Sequence, residues 1–206
     1  MTADQVSRHV RHRWYVTLPA AVGLGLLNAG ADFINDLTLE IPLFLDSIGT
    51  MIAAAVFGLV PGVVAAVSTH LAMEFLNGWA GAHFPWVVCS LSSAAIVWYL
   101  TKSGRFQTLV DLVLATIWVA AANSFFGAAI AALLFSGNTG HAVDLVASAL
   151  YSFRPGAFAA AFLARMPVNT VDKGIAVGVT YLVLELFKRR DRREPTRSRP
   201  ELTRAP

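Results

Sequence analysis

From Pro42 to Asn77 the chain reads PLFLDSIGTMIAAAVFGLVPGVVAAVSTHLAMEFLN, and between Asp46 and Glu74 it holds no Asp, Glu, Lys or Arg. The only titratable group in that interval is His70. Gly58-Leu59-Val60-Pro61-Gly62 divides the stretch near its middle as a tight turn would. The pattern predicts two hydrophobic helices, at about Asp46–Gly58 and Pro61–Asn77, with Pro61 breaking the helix between them. The connection is too short and apolar to leave a membrane far behind. Such a hairpin brings its two flanking carboxylates, Asp46 and Glu74, to one side.

The remainder of the chain agrees with a membrane setting. It is 56% hydrophobic and only 14% charged, against about 25% charged residues in soluble domains. Several uncharged runs approach the roughly 20 residues that a bilayer span needs. We therefore expect an all-α integral membrane protein with six transmembrane helices. Beside the hairpin these are about Trp14–Ile34, Trp86–Thr101, Leu109–Phe135 and Val171–Phe187. Segments 144–151 and 157–163 flank Arg154-Pro155-Gly156 and are too short to span. They are expected as short helices in the last outer loop, lying on the surface or partly inserted.

Basic residues set the orientation. Arg8, Arg11 and Arg13 precede the first span, Lys102 and Arg105 follow the fourth, and Lys188 to Arg204 carry eight further cations after the last. The positive-inside rule puts all three groups, and both termini, in the cytoplasm. Residues 1–13 are then a basic cytoplasmic N-terminus, 14–188 the membrane domain, and 189–206 a basic tail expected to be disordered. Beside a membrane span such a tail orients the chain rather than binding nucleic acid. The first helix reads as retained rather than removed as a signal peptide. The expected location is the cell membrane, multi-pass.

Polar residues gather in the outer half of this topology. Asp32, Asn35 and Asp36 end the first helix; Asp46 starts the second; His70, Glu74 and Asn77 share a face at the end of the third. The candidate substrate-binding set is Asn35, Asp46, Glu74, Trp79, His83, Trp86, Asn123, Asn169, Asp172 and Lys173. Ionisable groups inside a bilayer are costly and point to function. The plainer alternative is that Asp46, Glu74, Asp172 and Lys173 neutralise one another. Asp46 and Asp172 would each then sit at a helix N-terminus, where the dipole stabilises a carboxylate. Taken one at a time, Trp79 and Trp86 read first as interfacial belt residues.

Catalytic patterns are weak. His70 and Glu74 at i, i+4 have no second His or Cys at ligand spacing, and lone Cys89 sits in a small-residue core setting. No nucleotide-binding loop or nucleophile elbow is present. The reading is not an enzyme, with neither cofactor nor metal; an energised transporter without its own ATPase would need a partner. Ala21, Gly25 and Ala29 form a stripe of small residues every fourth position on helix one. Spacing alone favours packing inside the chain over docking to another protein.

Three segments carry a family resemblance. Pro42-Leu43-Phe44-Leu45-Asp46-Ser47-Ile48-Gly49-Thr50, then Phe57-Gly58-Leu59-Val60-Pro61-Gly62, then Asn169-Thr170-Val171-Asp172-Lys173 occur in this order across roughly Trp14 to Phe187. In this the chain resembles the substrate-binding (S) components of energy-coupling factor transporters, the prokaryotic vitamin and micronutrient importers. The resemblance implies a subunit that captures a small solute from outside and topples within the membrane of a prokaryotic cell. Its partners would be a transmembrane scaffold subunit and two cytoplasmic ATPases. It also implies that Ala21, Gly25 and Ala29 dock the scaffold, and that the first outer loop and the outer ends of helices four to six bind the solute. No residue set selects one vitamin. A sensory or scaffold module that binds a ligand without moving it is the alternative.

Overall fold

The computed structural model describes residues 14–39, 43–140, 143–151 and 156–193. All regular elements among them are helical. We number them α1 (Trp14–Ile34, ending in a π turn at Asn35–Leu39), α2 (Ile48–Phe57, α over Ile48–Ile52 and π over Ala53–Phe57) and α3 (Leu59–Leu76). After a 3-10 turn at Phe84–Trp86 follow α4 (Val87–Lys102), α5 (Leu109–Leu134), α6 (Val143–Tyr151) and α7 (Ala157–Arg193). Four units (Trp14–Ile34, Leu59–Leu76, Phe84–Lys102 and Leu109–Leu134) are long and apolar enough to cross a membrane. This is the signature of a multi-pass membrane protein.

Burial follows the logic of lipid rather than of water. On α5 the buried residues besides Asn123 are small (Ala115, Val119, Ala120, Ser124, Gly127, Ala128, Ala131), while Ile117, Trp118, Phe125 and Leu133 lie exposed. Helices that meet in a bilayer associate by close packing of small side chains, leaving the bulky apolar ones to the tails. At the end near the α4–α5 loop, Met51, Val56, Val97, Phe106, Val119, Val177 and Leu184 form the main apolar cluster.

α1 and α3 pack along each other through the small-residue stripe. Ala21, Gly25 and Ala29 are all buried, and a Cβ on Gly25 would stand 2.5 Å from the Ala65 carbonyl oxygen and 2.8 Å from Ser68 Cβ. The stripe is thus an internal seam, which corrects the expectation that it docks a scaffold subunit: backbone of the same chain already fills its approach. A polar knot closes the seam. Asn28 Nδ2 donates to Thr50 Oγ1 (3.1 Å) and Thr69 Oγ1 (3.2 Å), and its Oδ1 accepts the Gly49 N–H at 2.7 Å. Thr69 Oγ1 lies within hydrogen-bond distance of the Gly25 and Ala65 carbonyls.

The hairpin forms, but its corner is one residue. Gly58 at φ 107 separates α2 from α3, a conformation that L side chains resist. Pro61 falls in the first turn of α3, where its missing N–H costs nothing, so it does not break the helix as expected. α2 starts at Ile48, not Asp46, and its ten residues reach about 15 Å at 1.5 Å per residue, half a hydrocarbon core. The segment Leu43–Ser47 enters the bundle without helix in the space that a full-length α2 would fill.

The largest correction concerns the C-terminal third. Segment 157–163 and the expected sixth span are one helix, α7, of 37 residues. The run Ala157–Ala164 is alanine-rich and a strong helix former, and Pro167 removes one backbone bond without ending the helix. Asn169, Asp172 and Lys173 therefore lie inside a helix rather than at its start, and no helix dipole supports Asp172. Residues 189–193, expected in the tail, continue α7; the basic stretches 1–13 and 194–206 lie outside the described residues. α6 packs on α7, with Val143, Ala147 and Ala164 in one small cluster.

Candidate ligand-binding site

Where α2 falls short, the bundle keeps a cavity of about 40 Å³, room for a few water-sized groups. We call this the site end. Asp32, Phe44, Asp46, His70, His83, Trp86, Cys89, Asn123, Gly127, Arg165, Asn169 and Lys173 line it. Of the ten residues singled out from sequence, Asp46, His83, Trp86, Asn123, Asn169 and Lys173 meet there. Asn35, Glu74, Trp79 and Asp172 do not line it, and three of them explain how it is built.

Lys173 is 1% exposed and anchors the charged wall. Its ammonium lies 2.6 Å from Asp172 Oδ2 and donates to Asp46 Oδ1 (3.1 Å) and Ser47 Oγ (2.8 Å). An ammonium taken from water into this interior must be matched by close opposite charge, and here two carboxylates do so. Asp172 Oδ1 accepts the Leu45 N–H at 3.1 Å, and Asn35 Nδ2 donates to the Leu43 carbonyl at 3.0 Å. Leu43–Ser47 is thus pinned to α1 and α7 at successive residues. That satisfies backbone polar groups which non-helical chain at membrane depth would otherwise leave unpaired. Leu45 sits at φ 45, a strained region for a bulky residue. Asp172 pairs with Lys173 and stays off the cavity, whereas Lys173 both pairs with it and lines the cavity.

Glu74, 3% exposed, is an architectural residue. Its Oε2 accepts the Gly81 N–H (2.9 Å) and its Oε1 those of His83 and Phe84. One carboxylate folds the α3–α4 loop back over the end of α3, and so sets His83 and Trp86 at the cavity. Trp79 is 63% exposed and meets Phe75 edge-on, outside the site. His70 and Glu74 do not act together. His70 lines the cavity with Nε2 2.9 Å from Ser90 Oγ, whereas Glu74 is spent on loop amides.

Asn123 Nδ2 donates to Ser93 Oγ (2.8 Å) and Asn169 Nδ2 to Ser124 Oγ (3.0 Å), so these two wall residues brace α5 against α4 and α7. Trp86 stacks on Phe135 at 6.0 Å with rings 17° apart. Sequence reasoning missed Arg165, 1% exposed, whose Cζ lies 5.7 Å from the Trp86 ring. The signal was present: Arg165, Asn169 and Lys173 stand at i, i+4 and i+8, one stripe if the helix runs through Pro167.

No protein-family model, curated protein or solved structure matches the chain. Function therefore rests on this geometry and on the sequence resemblance.

Proposed function

We propose that the chain is the membrane-embedded substrate-binding subunit of an energy-coupling factor type importer. It takes a vitamin or related micronutrient from outside a prokaryotic cytoplasmic membrane, for ATP-driven uptake by a scaffold subunit and two ATPases. The observation that carries this reading is the charged cavity itself. Lys173 and Arg165, buried on α7, and Asp46, on the non-helical segment Leu43–Ser47, line it at one end of the bundle. Maintaining ionised groups there is expensive and marks solute sites in membrane proteins. Because the cavity as it stands holds only a few waters, a vitamin-sized solute enters by displacing Leu43–Ser47. In this reading Leu43–Phe57, non-helical and then helical, and α7 cross the membrane with the four long apolar helices, and both termini face the cytoplasm.

The test is thermal stability of the purified protein in mild detergent against vitamins and their precursors. A ligand that binds only the folded state adds about 2.7 kcal/mol at a hundredfold excess over its Kd. A shift that Asp46→Ala weakens supports a solute-binding subunit. A folded protein that no member of the panel stabilises refutes it. Binding without ligand-dependent uptake, when scaffold and ATPases are supplied, would instead favour a sensory module.

A further inference from the structure

We propose that the ligand carries an oxyanion, and that Arg165 and Trp86, meeting over Gly127, form the subsite that receives it. This rests on reading the cavity as a solute site and specifies what kind of solute it takes.

Arg165 is held in place but poorly satisfied. Nη1 reaches the Ala161 carbonyl and Nη2 reaches Thr139 Oγ1, both at 3.4 Å, and Nε has no hydrogen-bond partner. Its counter-ion Asp144 is 3.6 Å from Nη2 and already accepts from the Thr139 and Gly140 N–H groups. A guanidinium offers five donors in a planar fork suited to carboxylate and phosphate. Burying one with two long contacts is costly unless something completes it. Lys173, the other buried cation at the cavity, is already matched by Asp46 and Asp172. An incoming anion therefore gains most at Arg165.

Gly127 shows that space is kept there. A Cβ at that position would stand 3.3 Å from Arg165 Cδ, 3.5 Å from Arg165 Nε and 3.5 Å from Trp86 Cζ3. Glycine leaves open the point where guanidinium and indole converge, and all three residues line the cavity. An oxygen close to that point lies beside the unpartnered Nε, and a planar group beyond it lies beside the indole.

The experiment uses full-length protein in mild detergent and calorimetric titration with matched pairs: nicotinate with nicotinamide, biotin with biotinamide, and inorganic phosphate alone. We expect at least one oxyanion to bind, with any matching amide at least tenfold weaker. Arg165→Lys keeps the charge but loses the fork, and should weaken that oxyanion at least tenfold. Gly127→Ala, a smaller change that carries the test should Arg165→Lys fail to fold, should also weaken it by placing a methyl in the subsite. Binding of phosphate and of neither acid would support the subsite and make it a phosphate reader. Equal affinity for acid and amide, or indifference to both substitutions, would overturn it. A neutral vitamin that binds, depends on Asp46 and ignores Arg165→Lys would overturn the subsite and leave the binding function standing. No binding by any oxyanion or neutral vitamin would overturn both.

Discussion

Gly25→Ala separates the two meanings of the helix-one stripe. The added Cβ would lie 2.5 Å from the Ala65 carbonyl oxygen, and ordinary contact begins at 3.4 Å, so α1 and α3 must part by about 0.9 Å. Their shared bonds do not survive that. Thr69 to the Gly25 carbonyl would open from 3.1 Å and Asn28 to Thr69 from 3.2 Å, both to about 4 Å. Overpacking costs about 1–3 kcal/mol, and each lost interhelical bond in a membrane protein about 0.6 kcal/mol on average. The expected loss is roughly 2–4 kcal/mol, against an alanine preference in helices of about 1 kcal/mol that works the other way. Equilibrium unfolding in mixed micelles measures it. Gly23→Ala is the control, because nothing lies within 4 Å of its Cβ. If Gly25→Ala is as stable as Gly23→Ala, the seam is not where the structure puts it and the stripe returns to being a docking surface.

Four other substitutions test the site end and the hairpin corner. Lys173→Met strands two buried carboxylates and should cost about 3–5 kcal/mol, read as loss of monodisperse folded protein; Asp172→Asn, which leaves Asp46 as counter-ion, should cost less. Glu74→Gln gives up a charged acceptor for three loop amides, where bonds to charged groups are worth about 1.5–3 kcal/mol each. Faster hydrogen exchange at Gly81, His83 and Phe84 with an unchanged α3 is the expected result, and unchanged exchange would contradict it. Gly58→Ala forces a side chain to φ 107 at the α2–α3 corner and should destabilise by about 1–3 kcal/mol in the same unfolding assay.

What was legible in the sequence follows from range. Hydropathy runs located four spans because a bilayer imposes one length on all of them. The hairpin was visible in Gly58, whose special backbone a single residue can announce. The polar end was visible because charges are rare in such a chain, so their positions carry information. Partners over distance were not. Nothing in Glu74 says that it will serve the amides of the loop that follows rather than a ligand, since the backbone donors have no sequence signature. The stripe left two readings open because spacing specifies a face and not what covers it; Ala65 and Thr69 on α3 were the missing half. Arg165 was lost to a single misjudged boundary. Taking Asp172 and Lys173 as the edge of a span left Arg165 in the gap between that span and the short helix expected at 157–163, although a helix tolerates buried charges when another segment brings the counter-charge to it.

Shortening α2 also has a mechanical meaning. The stretch Leu43–Ser47, which lines the cavity with Phe44 and Asp46, is the same stretch that neutralises and hydrogen-bonds the middle of α7. Lifting it breaks the Leu45 bond to Asp172 and draws Asp46 away from Lys173, while releasing the strain held at Leu45. In the proposed importer a solute's affinity would therefore be set against the strength of this latch. Side chains outside the cavity, such as Asn35 at the Leu43 carbonyl, would then tune how tightly and how fast a solute is held.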